Sequence, residues 1–401
     1  MTDASPIQTG PSPSSDSSSP STGQPDSPAG EVLAGVLETA ATDSSIRPQD
    51  DLFRFVNGGW LATAEIPADR PGSGAFTVLR DEAEAACRQI VEELADSFSA
   101  ASPEEASRAL ATNRGRVGAL YAAFMDDEHL EALGAGPLAG ELTPVLAAAS
   151  KEELARVLGG MTPIGFMGVV GADVEVDIND PERYTSWVGQ SGLGLPDESY
   201  YREEAQAPLR RAYVAHVARM LQLADLTDAF GTSAEDLAER VMAVETDLAK
   251  GHWDRVTCRD VEKMNNPMSW QEIVDSAPTL PWREWREGIR SAARSAGIEQ
   301  TTFLDEAIVT QPDYLPHAAR IWQETDLEDL KAWAAWHIVH GRATLLSGAF
   351  VEENFDFYGR TLQGTDELRA RWKRGVALVE SCLGEALGKI YVERHFPPSH
   401  K

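Results

Sequence analysis

The chain has 401 residues, and its 64 acidic against 35 basic side chains give a formal net charge of −29. Binding to a phosphate backbone needs clustered Lys and Arg, so this balance argues against nucleic acid as a partner. No apolar run approaches the length of about 18 residues that a membrane-spanning helix needs, so we expect no membrane partner.

The cysteines, Cys87, Cys258 and Cys382, are too few and too scattered for a disulfide framework or a Cys-rich zinc site. They are predicted to be reduced, buried thiols.

Residues 1–42 are dominated by Ser, Pro, Thr and Asp, with little apolar surface to bury before Val32. Such a composition cannot offset the entropy of ordering the chain, so we expect a disordered tail. The segment also lacks the basic start and continuous apolar stretch of a signal peptide. A cytoplasmic protein is therefore expected.

Helical periodicity is the main signal after the tail. In RDEAEAACRQIVEELADSF, residues 80–98, the apolar positions follow the i, i+3, i+4, i+7 rule of a helix with one buried face. Helix starts are indicated where Ser or Thr precedes Glu by three residues. These candidate capping boxes are Ser150 with Glu153, Thr232 with Glu235, Ser269 with Glu272, and Thr325 with Glu328.

One stretch, GADVEVDINDPERYTSWVGQ, departs from the helical pattern. Val174, Val176 and Ile178 alternate with acidic residues, and a turn-rich NDPE separates them from a second β-prone run at residues 184–188. This pattern predicts a β-hairpin. The predicted fold is thus mainly α: a large multi-helix lobe over residues 43–401, with one small β-hairpin and a disordered N-terminal tail.

The stretch HIVHG at residues 337–341 is the obvious candidate for a metal site. A zinc peptidase helix needs His at i and i+4 with a Glu beside the first, whereas His337 and His340 are three apart and enclose Ile338 and Val339. The simpler interpretation is a packing helix that also carries Trp333 and Trp336. No HExxH, GxSxG, CxxC or P-loop occurs, so no metal ligand and no catalytic residue are predicted in this chain.

Several blocks together resemble the N-terminal part of the neprilysin-like zinc metallopeptidases, the family of neprilysin, the endothelin-converting enzymes and oligopeptidase O. DDLFRFVNGGW at 50–60, followed by IPADR and FTVLRDE, is similar to the opening block of that family. QSGLGLPDESYY at 190–201 is similar to its internal motif. The remaining blocks follow in order: NNPMSWQEI, LPWREW, QPDYL, FDFYGRTLQG and RWKRGVALVESCLGEALGKIYVERHFP.

The resemblance implies a helical lobe that closes over a zinc lobe and forms a chamber for short peptides. In the family, zinc is held by HExxH and a downstream ExxxD, and neither region occurs here. The chain is therefore expected to need no cofactor of its own, to be inactive alone, and to work with zinc only in a catalytic half outside this sequence. The opening block (Phe53, Phe55, Trp60) and the closing block (Ile390, Tyr391, Phe396) are expected to face that half.

One substrate-binding residue is implied. Arg80 in FTVLRDE matches an arginine that reaches the C-terminal carboxylate of bound peptides in the family, a role suited to a forked, permanently charged donor. The alternative is a helix arginine paired with Asp81 or Glu84. A second carboxylate-binding arginine of some members falls on Gly72, and Arg70 is near that position but out of register.

Other functions remain open at this point. The chain could be the N-terminal portion of a zinc endopeptidase, a stand-alone, non-catalytic module that binds peptides or another protein, or one chain of an enzyme whose catalytic half is separately encoded. The glycines of GLGLP, Gly192 and Gly194, are predicted to permit close approaches that a Cβ would hinder, and Tyr200 and Tyr201 to start a helix as packing anchors.

Overall fold

The computed structural model describes residues 41–299 and 301–396. Residues 1–40 of the predicted tail lie outside this range. The chain divides into two units, Met1–Glu65 and Ile66–Lys401. In the first, helix α1 (Leu52–Leu61) begins at Asp51, whose side chain accepts a hydrogen bond from the Arg54 amide. Phe53 and Trp60 of the opening block are exposed, and Phe55 is half-buried.

The second unit is mainly helical, as predicted. Its α-helices up to the middle of the chain are α2 (Ala75–Ser99), α3 (Pro103–Ala109), α4 (Asn113–Met125), α5 (Asp127–Leu133), α6 (Ala139–Ala147), α7 (Lys151–Met161), α8 (Ser199–Arg202), α9 (Ala207–Leu223) and α10 (Leu226–Phe230). Those that follow are α11 (Ala234–Ala249), α12 (Val261–Met264), α13 (Trp270–Ser276), α14 (Trp282–Ser295), α15 (Tyr314–Glu324), α16 (Leu327–Arg342), α17 (Gly348–Asn354) and α18 (Arg371–His395). A π-helix, Phe355–Leu362, continues α17.

The predicted hairpin is confirmed as β1 (Val170–Asp177) and β2 (Asp180–Gln190), which pair antiparallel. It belongs to a larger sheet than the sequence indicated. Two short strands, β3 (Pro267–Ser269) and β4 (Glu306–Val309), extend it to four strands in the order β1-β2-β4-β3. Strand β4 runs parallel to β2 and antiparallel to β3, so the sheet is mixed.

Two apolar clusters form the interior of the second unit. The larger one joins α6, α7, α9, α11 and α14–α17 to the sheet, with the fully buried Trp333 and Trp336 among its members. The smaller one joins α2, α4 and α18 through residues such as Ile90, Val91 and Val376. The one-faced pattern predicted for residues 80–98 is confirmed, because its central apolar positions lie in this second cluster.

The same cluster corrects one expectation. Ile390 of the closing block is 3% exposed and packs against α2 and α4, so it is not left for a second lobe. Its neighbour Tyr391 is half-buried, whereas Phe396 is exposed.

The predicted helix starts hold to within one residue. Ser269 and Glu272 form a complete capping box at α13, and Ser150 accepts a hydrogen bond from the Glu153 amide at α7. At α11 the cap is Ser233, not Thr232, and it accepts from the Asp236 amide. At α16 the cap position is Asp326, not Thr325, and no side-chain cap bond forms. Adjacent polar residues compete for these positions, and the i+3 spacing alone does not decide between them.

Candidate functional site

Arg80, the predicted substrate-binding residue, lies in the second turn of α2 and is exposed. Three apolar side chains beside it are also in solvent: Phe76 is 87% exposed, and Val78 and Leu79 are more than half exposed. The first turn of α2 contains no acidic residue, and Gly74 offers no capping side chain. No acidic side chain in the first turn therefore balances the partial positive charge at the N-terminus of α2, and this charge favours the binding of an anionic group near Arg80.

The carboxylates that could pair with Arg80 have other partners. Asp81 accepts a hydrogen bond from Arg70 Nη2 at 2.9 Å, and Glu84 accepts one from Arg369 at 2.6 Å. Across residues 41–299 and 301–396, Arg80 has no ion pair of its own. The alternative of an arginine paired with Asp81 or Glu84 is thus not the arrangement found.

Arg70 is a structural residue. Its side chain is almost fully buried and donates from both terminal nitrogens to Asp81, an arrangement that raises the pKa of the Arg70 guanidinium. The preceding Asp69 accepts a hydrogen bond from Lys373 at 2.6 Å, which lowers the pKa of the Asp69 carboxyl. These contacts fasten the loop before α2 to α2 and α18. Arg70 is consequently not free to act as a second carboxylate-binding cation.

The glycines of the GLGLP motif make the close approaches that the sequence predicted. Gly192 has φ +93°, in the left-handed region that favours glycine, and a Cβ there would lie 2.8 Å from Leu248 Cδ1. A Cβ at Gly194 would lie 2.0 Å from Tyr213 Oη. Tyr201, in α8, is buried, and its hydroxyl accepts hydrogen bonds from the Gly194 and Leu195 amides.

Glu245 is a buried carboxylate that no sequence motif indicated. It lies in α11 and accepts hydrogen bonds from the hydroxyls of Tyr201 at 2.7 Å and Tyr213 at 3.0 Å. Burial, and then the Glu245 charge, raises the pKa of both tyrosines well above the usual value. A signal for its burial was present, since Glu245 follows Val241 by four residues and precedes Leu248 by three, on the apolar face of α11.

The histidines of HIVHG serve packing, as the simpler interpretation stated. His337 packs against Trp333 with the two rings tilted by 53°, and His340 stacks on Trp336. His337 Nε2 lies 3.0 Å from Glu245 Oε1, but the angle between the two groups does not meet the geometry of a hydrogen bond. In the part of the chain that the structure describes, no group of three or more His, Cys, Asp or Glu side chains is placed to hold a metal ion.

The prediction of three buried thiols is correct only for Cys87. Cys258 is half-buried and Cys382 is exposed, and all three are free cysteines. Burial, followed by the charge of Glu380, raises the pKa of the Cys87 thiol to about 11. Cys87 is therefore an unreactive core residue.

No described helix is both long and apolar enough to cross a bilayer.

Residues 48–401 match the sequence model of the N-terminal domain of Peptidase family M13. The chain belongs to peptidase family M13. Membrane metallo-endopeptidase-like 1 of Mus musculus is 27% identical over 389 residues, which are 92% of this chain and 48% of that protein. Neprilysin-11 of Caenorhabditis elegans is 25% identical over 383 residues, 90% of this chain and 42% of that protein. The chain thus spans about half the length of the curated relatives it matches.

Solved M13 structures share the fold. The zinc metalloprotease Zmp1 of Mycobacterium tuberculosis, in complex with an inhibitor, gives a TM-score of 0.78 at 41% identity, over 90% of this chain and 52% of that one. PepO from Lactobacillus rhamnosis HN001 gives a TM-score of 0.68 at 21% identity, over 88% of this chain and 52% of that one, and shows the fold alone. The resemblance to the neprilysin-like peptidases and the mainly helical fold class are both confirmed.

The zinc of M13 peptidases does not fit the residues described here. The nearest candidates, His337 and His340, are three positions apart on α16, and the space beyond His337 Nε2 is taken by the Glu245 carboxylate. That carboxylate in turn is occupied by two tyrosine hydroxyls.

Proposed function

We propose that this M13 domain forms the substrate-chamber lobe of a zinc metalloendopeptidase that acts on short peptides. The observation that carries the proposal is the unpaired, exposed Arg80 beside Phe76, Val78 and Leu79 on a domain of this family. A peptide that ends in a free carboxylate presents an anion and apolar side chains together, which matches this surface.

In this proposal Arg80 orients the substrate. Its guanidinium can donate two parallel hydrogen bonds to a C-terminal carboxylate, and the neighbouring apolar side chains can contact the last residues of the peptide. Orientation by a fixed cation favours cleavage at a set distance from the C-terminus, because the scissile bond is then placed by the length of the peptide. No proton transfer or nucleophile is assigned to this chain.

The 401-residue chain is proposed to be inactive without a catalytic half that carries HExxH. That half could continue the same polypeptide or come from a separate gene. A stand-alone module that binds peptides or a protein is the second candidate, and the same apolar and cationic surface supports it.

Short peptides are the proposed ligands. Nucleic acid and membranes are not proposed as partners, and for nucleic acid the excess of acidic over basic side chains supports this choice. A cytoplasmic location is also proposed, and the three free thiols support it, since free cysteines are typical of reducing compartments.

The proposal is tested by combining the purified chain with a separately produced M13 catalytic half and following cleavage of a short fluorogenic peptide. Cleavage that requires both components is expected. Arg80→Ala should slow the cleavage of peptides with a free C-terminal carboxylate far more than the cleavage of the same peptides with an amidated C-terminus. Peptide binding by the chain alone, with no cleavage in any combination, would instead favour the stand-alone module. The coding sequence beyond the codon for Lys401 gives independent information, because an HExxH there would supply the catalytic half directly.

A further inference from the structure

The π-helix Phe355–Leu362 is packed on two histidines from different helices. The Phe357 ring stacks on His216 of α9 at 5.0 Å between centroids. The next residue, Tyr358, contacts both His216 at 5.5 Å and His340 of α16 at 4.7 Å. Trp336 lies against both imidazoles as well, at 5.5 and 5.3 Å. The two histidines and three aromatic rings thus form one cluster, which we call the histidine cluster.

Each of these imidazoles has a buried ring nitrogen without a partner. His216 Nδ1 lies 2.8 Å from Glu353 Oε1, but its Nε2 is buried and meets no polar atom of the described residues. His340 Nδ1 is likewise buried and unpaired. In the neutral ring an unpaired nitrogen carries only a lone pair. Protonation would place an N–H there with no acceptor and add a positive charge to an apolar setting, which is much more costly.

The charged and titratable groups around the histidine cluster do not remove this cost. Those that face it are Tyr213 and Arg219 from α9, Tyr201 from α8, Glu245 from α11, His337 from α16, Glu353 from α17, and Asp356 and Tyr358 from the π-helix.

Of these groups, Glu353 and Arg219 act most directly on the protonation of His216. Glu353 favours a proton on His216, but it also accepts a hydrogen bond from Arg219 at 2.7 Å, so its charge is already compensated. Burial therefore dominates and lowers the pKa of His216. Burial, with His337 and His216 as further causes, lowers the pKa of His340 to about 3.

We propose that the π-helix Phe355–Leu362 is an acid-sensitive latch, held on α9 and α16 by the neutral forms of His216 and His340 and released when these residues take up protons. Release lets water reach both rings and supplies the missing acceptors. π-Helices are rare and occur often at functional sites, where a slightly strained turn is easily rearranged.

The latch is connected to the GLGLP motif. The hydroxyl of Tyr358 donates a hydrogen bond to the Gly194 carbonyl at 2.9 Å. Movement of Tyr358 would break this bond and loosen the loop that also depends on Tyr201 and Glu245. Acidification is thus expected to open two connected segments, residues 355–362 and 192–201, before the rest of the lobe unfolds.

Hydrogen exchange on the full 401-residue chain at pH 7.5 and 5.5, corrected for the intrinsic pH dependence of exchange, tests the latch. If the opened state has ordinary histidine pKa values near 6.5, its opening constant rises up to about tenfold per histidine over this interval. Two histidines give up to about 100-fold at residues 355–362, and a smaller rise at 192–201. No such rise, or an equal rise across all segments, would overturn the proposal.

Substitutions separate the latch from general acid sensitivity. His340→Phe keeps an aromatic ring between Trp336 and Tyr358 and gives up no hydrogen bond found in the structure. The rise in the opening constant at residues 355–362 between pH 7.5 and 5.5 should therefore be about tenfold smaller than in the wild type. The matched control is His129→Gln, on the exposed face of α5, which should leave the response unchanged. An identical acid response in wild type and His340→Phe would count against the latch.

A measurement on the unsubstituted chain covers the case in which His340→Phe fails to fold. The imidazole Cε1–H signals of His216 and His340, followed by NMR, should keep the chemical shifts of neutral rings at pH 5.5 in the closed population. Ordinary titration of both rings near pH 6.5, with residues 355–362 still protected from exchange, would show that the closed cluster tolerates protonation and would overturn the proposal.

Discussion

Gly194 and Tyr213 approach each other so closely that a Cβ added to the glycine would lie 2.0 Å from the tyrosine Oη. The same hydroxyl donates to Glu245 and accepts a hydrogen bond from Trp336 Nε1 at 2.8 Å. Because these partners fix the tyrosine from two sides, it cannot withdraw to make room. The glycine is thus required by a contact with a buried polar network.

Gly194→Ala is therefore expected to lower the free energy of unfolding by about 2–3 kcal/mol, as overpacking in a rigid core does. Gly140→Ala is the matched control, because Gly140 lies in α6 with open space around its missing Cβ, and Ala is the better helix former. Denaturant unfolding of both variants measures the difference. Equal stability of the two would mean that the network around Tyr213 yields easily.

Arg70→Met is expected to cost about 1–3 kcal/mol of stability. The substitution leaves Asp81 without its main partner, and the cost stays below that of a fully buried pair because Asp81 is 44% exposed. Arg47→Met removes an ion pair with Asp50 that is well exposed on both sides, so it should change stability by less than about 0.5 kcal/mol. A loss for Arg70→Met no greater than that of Arg47→Met would show that the loop before α2 is held by other contacts.

The sequence predicted the elements whose signals are local. The apolar repeat in residues 80–98 was sufficient for α2, because each buried position follows from its neighbours along the helix. Strand β4 was missed because its evidence is not local: Ala307 pairs with Ser186, far away in the chain, and a strand of four residues shows no clear alternation. The number of strands in the sheet therefore required the structure.

The candidate site divides in the same way. The position of Arg80 on a helix could be predicted from FTVLRDE. Its lack of an ion pair could not, since that depends on Arg369, which reaches Glu84 from the far end of the chain. Glu353 and His216 likewise meet only through tertiary packing, and nothing in their local sequences distinguishes them from surface residues.

Acid should destabilise the lobe partly through His252. This residue is largely buried beside Tyr314, and burial lowers its pKa to about 4. Since the folded-state pKa lies below the unfolded value, the stability from the neutral ring is present above pH 6.5 and is lost as the pH falls toward 4. Between pH 6.5 and 4.5 the expected loss is about 2 kcal/mol.

His252→Gln, which retains a donor for the Ser191 carbonyl, should remove this part of the pH dependence. Unfolding curves at several pH values compare it with wild type, and His129→Gln again serves as the exposed control. A wild-type curve parallel to that of His252→Gln between pH 6.5 and 4.5 would contradict the assignment.

The purified 401-residue chain is expected to retain no stoichiometric zinc after dialysis, because His337 and His340 lack a third ligand in the described structure. Metal analysis by mass spectrometry measures this directly. About one zinc per chain, lost in a variant with both histidines replaced by Ala, would show that HIVHG binds metal after all.

Gly72→Arg is expected to strengthen binding of peptides with a free C-terminal carboxylate. A Cβ at Gly72 would meet no atom within 4 Å, and its φ is outside the left-handed region, so an arginine there is accommodated without strain. Arg70 cannot supply this second cation, because it is held by Asp81. One added charge-assisted hydrogen bond in a solvent-exposed site is worth about 1 kcal/mol, or roughly fivefold in affinity.

Fluorescence anisotropy with a labelled short peptide, in its free-acid and amidated forms, measures the effect of Gly72→Arg. The gain should be confined to the free acid and should shrink when Arg80→Ala is added, because the two cations would share one carboxylate. Gly134→Arg, in a surface turn, is unsuitable as a control because its φ of +54° would strain any side chain. Gly140→Arg, at an exposed position of α6, adds the same charge without that strain. Equal gains for Gly72→Arg and Gly140→Arg would mean that only net charge matters and that Arg80 does not mark a carboxylate site.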